Sequence, residues 1–249
     1  MIVALITALA LSSPTAGQPA SSSAVSSATP IREVVYKVSF TRRLSVQNET
    51  YGGSISNNEN ATSSAPAFAE AGSNASDNGT VTIDVMQATD TALGIRVTER
   101  WDGSTPSATY LGNVTSDGAV NFGGGQMNEC TSAILEYFGP AVMDGQPANA
   151  GVSWERVAKG ANADVDTVYS VGAIDGSVAN IHEQSTVKSK TISLTDTVVT
   201  TDVKYKPATL VPVSGQVVMH ASRSSASSVT NISTIAHFDR VSDTYDKGQ

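Results

Sequence analysis

Apolar and polar side chains alternate along most of this chain with the two-residue period of half-buried β-strands. The segment 34–46 begins the pattern, with these apolar side chains on one face: Val34, Tyr36, Val38, Phe40. The same alternation runs through 80–85 and 93–101 on either side of a turn at 89–91, which predicts a hairpin. Trp101 continues the apolar face of the second strand.

Turn signals divide the remainder into short strands. Asp-Gly dipeptides occur at 102–103, 117–118, 144–145 and 175–176, and glycine adopts the positive φ of tight turns without steric cost. Further strand candidates lie in the C-terminal part of the chain: 165–171, 178–187, 192–205, 210–213, 215–222, 229–241. We therefore predict a mainly β fold, a curved antiparallel meander sheet that is half-barrel or sandwich-like, with one short packing helix near 128–138.

The predicted helix has a start signal, an apolar face and a stop signal. Asn128 is a good N-cap residue, and Glu129 in the first turn suits the helix dipole. Helical spacing then places four side chains on one face: Cys130, Ile134, Tyr137, Phe138. Gly139-Pro140 ends the pattern, so about three turns are expected to pack on the sheet.

The N-terminal region is typical of an exported protein. Residues 2–11 form an apolar run, too short to span a bilayer, and small residues follow it. We predict a signal peptide over 1–20, a disordered Ser/Ala/Pro linker over 21–30, one β-rich domain over 31–243 with a mobile polar insertion at 47–79, and a frayed tail over 244–249. We expect a periplasmic or extracellular location and no integral membrane segment once the signal peptide is removed.

Composition and charge narrow the class of protein. The chain has 28 valines against 9 leucines, which favours strands, because β-branched side chains fit a pleated surface. The net charge of −8 is spread thinly and does not indicate nucleic-acid binding. The single cysteine, Cys130, excludes a disulfide framework or a cysteine-rich zinc site, and we expect it to be buried and inert.

The familiar catalytic and metal-binding motifs do not occur in full. There is no Gly-X-Ser-X-Gly pentapeptide, and the start of a zincin motif at His182-Glu183 fails because position 186 is threonine. A calcium-loop-like start at 162–166 lacks the sixth-position glycine and the twelfth-position glutamate. We therefore predict no catalytic residues, metal or cofactor, and expect His182, His220 and His237 to face solvent or to form hydrogen bonds on strands.

Three aromatic residues are the candidate ligand-facing groups: Trp101, Tyr110, Trp154. Acidic side chains stand close to both tryptophans in the sequence, as they do in many sugar sites: Glu99, Asp102, Glu155. The alternative interpretation is that both tryptophans lie in the core, with surface charges beside them.

The stretch Phe138-Gly139-Pro140, followed after a loop by Gly151-Val152-Ser153-Trp154, resembles the Pro…Gly-X-X-Trp pattern of uncharacterised exported β-rich bacterial proteins. The resemblance implies a short helix, a proline-containing loop and long strands, and it supplies no catalytic residues. In layout the chain is also similar to the open half-barrels that carry lipoproteins or lipids in the envelope.

We hypothesise a non-enzymatic exported protein that binds an apolar small molecule or an envelope protein on its curved sheet. One alternative is a structural or adhesive surface module that acts through an unpaired sheet edge. A second alternative is a hydrolase with an unrecognised site, in which a histidine lies within hydrogen-bond reach of a serine or an aspartate.

Overall fold

The structure is a computed structural model that describes residues 29–48, 69–103, 105–116, 120–122, 127–143, 148–160, 163–190, 197–224 and 228–247. The predicted signal peptide and linker, apart from residues 29 and 30, lie outside these residues, as does most of the predicted insertion.

Eleven β-strands make up most of the described residues. Their bounds are β1 Arg32–Asn48, β2 Ala69–Ala88, β3 Ala92–Trp101, β4 Ala108–Thr115, β5 Val120–Phe122, β6 Ser153–Lys159, β7 Ala163–Asp175, β8 Val178–Ser189, β9 Thr197–Lys206, β10 Val211–Ser224 and β11 Ser228–Asp243. Helix α1, Glu129–Glu136, lies between β5 and β6, and one-turn 3-10 helices occupy Pro140–Met143 and Thr244–Lys247.

All eleven strands form one antiparallel sheet in the order β5-β4-β3-β2-β1-β11-β10-β9-β8-β7-β6. Each strand pairs with its neighbours in the chain, except that β5 does not pair with β6. In addition, the first and last strands pair with each other in the middle, with Val34 opposite Asp243. The two edges, β5 and β6, are not paired with each other, so the described sheet is not closed. The prediction of a mainly β fold, an antiparallel meander with one short helix, is confirmed.

Helix α1 starts where the sequence predicts and ends at Glu136, two residues before the predicted end near Phe138. The Asn128 side chain accepts a hydrogen bond from the backbone N–H of Cys130 at 2.9 Å, which satisfies one of the free donors of the first turn. Gly139 has a φ of 106°, a conformation that glycine adopts without strain and that turns the chain away from the helix axis. The helix packs mainly on β1, β10 and β11, at the centre of the sheet. We call the face of the sheet that it covers the inner face.

The inner face carries the core, because alternate residues of each strand point toward it. The largest fully buried side chains of the core are aromatic: Tyr36, Tyr137, Tyr169, Tyr205, Phe238. Two of their phenols donate to backbone carbonyl oxygens, Tyr36 to Pro212 at 3.0 Å and Tyr205 to Gly139 at 2.6 Å. The Tyr205 bond ties the sheet to the turn that follows α1, whereas the Tyr36 bond joins β1 to β10. Both bonds offset the cost of burying the hydroxyl groups.

The structure differs from the predicted mobile insertion at residues 69–79. These residues form the first half of β2 and pair with β1 from Val38 to Asn48. Polar composition suggested a loop there. However, the side chains of residues 72–76 are exposed on both faces, so this half of the strand needs no apolar residues. Pairing with a long neighbouring strand holds the segment in place instead.

The predicted frayed tail also differs in part, because residues 244–247 form a 3-10 turn. Arg32 of β1 binds both carboxylate oxygens of Asp243 just before this turn, at 2.9 and 2.6 Å. The Tyr245 ring lies 5.2 Å from the Arg32 guanidinium, and the Tyr245 backbone N–H donates to Asp243. These contacts attach the turn to the central strand pair.

Replacing Gly215 of β10 by alanine is expected to lower the free energy of unfolding by about 1–3 kcal/mol, because cores tolerate added volume poorly. A Cβ atom there would lie 2.4 Å from Cζ of buried Phe238. Gly172→Ala is the matched control, since its Cβ would make only ordinary contacts. Urea unfolding followed by fluorescence measures both, and equal stability of the two variants would contradict the packing described for Phe238.

Candidate functional site

The outer face of the sheet, opposite α1, contains a polar groove. It consists of two depressions of about 470 and 340 Å³ that share His237 and Asp239. Lining residues come from seven consecutive strands of the sheet, β7 to β2. With a strand spacing near 4.8 Å, the groove is roughly 29 Å long. We call this feature the outer groove.

Strand register builds the outer groove, because residues directly opposite each other in antiparallel pairs point to the same face. One row of such residues crosses from β7 to β1: Ser170, His182, Asp202, Gln216, His237, Ser39. The adjacent row contributes charged groups, with Asp239 between Ser214 and Lys37, and Lys204 on the other side of Ser214. The groove is therefore lined by hydroxyl, amide, imidazole and charged groups.

Within the described part of the chain, most charged groups of the outer groove have no side-chain partner. The side chains of Lys37, Lys204 and Asp239 make no hydrogen bond or ion pair in the described part of the chain. Among the described side chains that line the groove, the one hydrogen-bonded pair of titratable groups is His182 with Asp202, with 2.8 Å between Nδ1 and Oδ1. Unpaired donors and acceptors of both signs in one groove can bind a polar ligand without first breaking internal contacts.

The histidine positions bear on the hydrolase alternative. Ser170 lies opposite His182, whose other neighbour is Asp202, so the three groups follow the order of a Ser-His-Asp triad. In such triads a buried aspartate orients the imidazole. Here the Asp202 side chain is 67% exposed, and Ser170 makes no hydrogen bond to the ring. The arrangement is that of a hydrogen-bonded surface pair beside a serine.

A second polar cluster lies on the inner face, where α1 ends. Glu183 of β8 is buried and accepts hydrogen bonds from the Tyr137 hydroxyl and, at 2.8 Å, from Ser185 Oγ. Glu136, the last residue of α1, accepts from the Tyr169 hydroxyl at 3.1 Å. We call these five side chains the glutamate cluster, and it connects the helix end to β7 and β8.

Burial controls the protonation of the glutamate cluster. Burial, and then the negative charge of Glu183, raise the pKa of Glu136 to about 8 from its ordinary value of 4.5. Burial also raises the pKa of Glu183, against the opposing effect of the Tyr137 and Ser185 hydroxyls. Arg156, which lies 5.5 Å from the Tyr169 ring, lowers the pKa of both glutamates. Burial at the helix end therefore favours the protonated form of Glu136.

The other end of α1 also contacts a buried glutamate. Glu99 of β3 accepts a hydrogen bond from the Asn128 backbone N–H at 3.0 Å and one from Trp101 Nε1 at 3.4 Å. Burial, and then the negative charge of Glu99, raise the pKa of the neighbouring Tyr110 to about 12. Arg42 of β1 adds an ion pair with Glu129 in the first turn. Both helix ends are therefore fixed by carboxylates.

The three candidate ligand-facing aromatics all lie on the inner face and are mostly buried, with Trp101 9%, Tyr110 7% and Trp154 8% exposed. Trp101 packs edge-on against Phe40 with ring centroids 5.4 Å apart, and Trp154 stacks on Tyr169 at 5.2 Å. They occupy the two ends of α1 and do not meet, so no single aromatic platform forms from them.

The acidic residues close to the tryptophans in sequence are also separated in space. Glu99 is buried on the inner face, Asp102 lines the outer groove, and Glu155 is exposed on β6. The calcium-loop-like segment is partly described: Asp164 pairs with Lys190 and Asp166 with Lys188, and Asn162 lies outside the described residues. These lysines supply the positive charge beside the two aspartates.

Sequence reasoning missed Glu136 and Glu183, although one signal was present. Position 183 falls on the buried side of a strictly alternating strand, two residues after Ile181 and two before Ser185. A charged residue on that side requires a buried partner. The partners, however, come from α1 and β7, and their identity depends on tertiary packing. Cys130 is buried as expected, and burial raises the pKa of its thiol to about 12.

Comparison with known proteins gives no match: no family model, curated protein or solved structure is significantly similar to this chain. Among the described residues, no helix has the length and apolar character needed to cross a membrane.

The glutamate cluster predicts that stability falls as the pH rises. A folded-state pKa of about 8 against an unfolded value near 4.5 means that the folded state holds the extra proton between those values. The free energy of unfolding should therefore decrease from pH 5 to pH 8, by of the order of 1–3 kcal/mol. Glu136→Gln keeps the acceptor for Tyr169 and should flatten this decrease, as measured by urea unfolding at several pH values. Asp90→Asn, at an exposed carboxylate, is the control, and a wild-type slope in Glu136→Gln would refute the assignment.

Proposed function

We propose that this protein is an exported, non-enzymatic binding protein that recognises an uncharged, hydroxyl-rich polymer, such as a glycan chain of the envelope, along the outer groove. The observation that carries the proposal is that Lys37, Lys204 and Asp239 have no partner among the described residues. These residues line two adjoining depressions whose walls come from seven strands. Burying such groups against a ligand is favourable only if the ligand supplies hydrogen bonds.

The composition of the outer groove supports this ligand class. Three aspartates, Asp102, Asp202 and Asp239, oppose the binding of a polyanion such as a nucleic acid, and two lysines oppose that of a polycation. The lining side chains that point outward are polar, which disfavours a lipid. The strands beneath are fully paired, so an added peptide strand has no free backbone groups to bind there. Hydroxyl groups match the mixed donors and acceptors that remain.

A binding role, rather than catalysis, also agrees with the exposure of His182 and Asp202. General base catalysis by a histidine depends on a partner that fixes its ring, and solvent competes with an exposed aspartate for this contact.

The proposal is tested with linear hexasaccharides of glucose and N-acetylglucosamine, titrated into the protein by calorimetry. At least one should bind, and the double variant Lys204→Ala/Asp239→Ala should bind at least about tenfold more weakly, the loss expected for two hydrogen bonds to charged groups. Arg223→Ala/Asp175→Ala removes exposed charges of the same two signs outside the groove and should bind like the wild type. Absence of binding by all the sugars, or equal loss in both double variants, would refute the proposal.

An apolar ligand on the inner face is the second candidate. A small apolar cluster at one end of β6, β7 and β8 is separate from the main core: Ala158, Ala163, Val165, Val187. Its side chains are small. Four residues away along the same strands, the inward-facing residues Trp154 and Tyr169 are bulky. Small side chains at one end of the inner face favour a site for an acyl chain.

A fluorescent fatty acid tests this second candidate. Ala158→Trp would fill the small-residue end and is expected to reduce the affinity at least about tenfold, since an overpacked site excludes its ligand. Ala92→Trp, at the start of β3, enlarges a half-buried alanine far from that end and serves as the control. If neither the wild type nor the control binds the probe, the apolar-ligand function is eliminated.

A further inference from the structure

Strand β6 is an edge of the sheet, and among the described strands it pairs only with β7. Alternate residues of an edge strand direct their backbone N–H and C=O groups away from the sheet, where another strand can bind them. Proteins commonly protect such edges by covering them or by placing charges along them. The sequence of β6 therefore decides whether its edge repels strands or selects one.

Four exposed side chains of β6 point to the outer face: Ser153, Glu155, Val157, Lys159. Val157 is 61% exposed, and Val168 of the adjacent strand is 45% exposed on the same face. The side chains of Glu155 and Lys159 make no hydrogen bond or ion pair in the described part of the chain. By contrast, Asp164 and Asp166 of β7 are paired with lysines.

The charge order along β6 is self-complementary. In an antiparallel pair of two β6 strands centred on Val157, each Val157 lies opposite its counterpart, and each Glu155 lies opposite Lys159 of the other copy. Arg156, on the inner face, then lies opposite Ala158, so no like charges meet. A shift of the centre by one residue to Arg156 would place Glu155 opposite Val157 and lose both ion pairs.

We propose that β6 pairs with β6 of a second copy of this chain, in antiparallel register about Val157, and joins the two sheets into one continuous sheet. The contact is isologous, so it closes as a dimer with two-fold symmetry. It spans few residues, and interfaces of that size give weak association. We therefore expect a concentration-dependent equilibrium between monomer and dimer with a dissociation constant in the micromolar range or weaker.

Sedimentation equilibrium of the full chain, over concentrations from about 1 to 500 μM, tests the proposal. Glu155→Lys places two lysine pairs face to face and should weaken dimerisation at least tenfold. The charge-reversed variant Glu155→Lys/Lys159→Glu restores both ion pairs in the proposed register and should regain the wild-type dissociation constant. Recovery of this kind is specific to pairing of Glu155 with Lys159 across the two copies.

Val157→Lys should also abolish the dimer, since it places two lysines opposite each other at the centre. Val241→Lys is its control, because Val241 is 56% exposed on β11, away from both edges. A wild-type chain that stays monomeric at the highest concentration overturns the proposal. Filaments would also overturn it, since they indicate head-to-tail pairing of β6 with β5. A double variant no better than Glu155→Lys overturns the register.

Discussion

Two buried carboxylates of the sheet, Glu99 and Glu183, bind the two ends of α1. The position of the helix on the inner face depends on these two contacts. The helix has only eight residues, too few to be stable alone, so tertiary contacts must maintain it. Glu99 binds the backbone before the first turn, and Glu183 binds the Tyr137 hydroxyl at the last. A buried carboxylate is costly unless hydrogen bonds satisfy it, so sheet and helix stabilise each other.

The fixed helix separates the two faces of the sheet into different chemical environments. The inner face is occupied at its centre by α1 and by aromatic side chains such as Tyr205 and Phe238. The outer face carries polar side chains, and strand register sets their positions. Each strand is held in place by its buried side chains on the inner face. A rigid sheet with a polar face is suited to recognition by an ordered array of hydrogen-bonding groups, since little conformational entropy is lost when the ligand binds.

The two-residue alternation predicted the class of fold and most strands correctly, and the Asn128 cap and Gly139-Pro140 located the helix. Composition misled the prediction at 69–79, where residues 72–76 are exposed and so need no apolar pattern. The outer groove and the glutamate cluster were beyond prediction, because both bring together residues that are far apart in the chain. For example, Tyr169 Oη donates to Glu136 from a strand thirty-three positions later. Such contacts follow from the order of strands in the sheet, which periodicity alone does not specify.

The central pairing of β1 with β11 has a consequence for how the chain reaches this state. Contacts such as Val34 with Asp243 join the beginning and the end of the described sequence, and closing so long a loop is slow. While the polypeptide is being synthesised, β1 has no partner on one side until nearly all of the other strands have emerged. The central strand pair of the sheet can therefore form only after the last described strand has been synthesised, and the two halves of the sheet join at that final step.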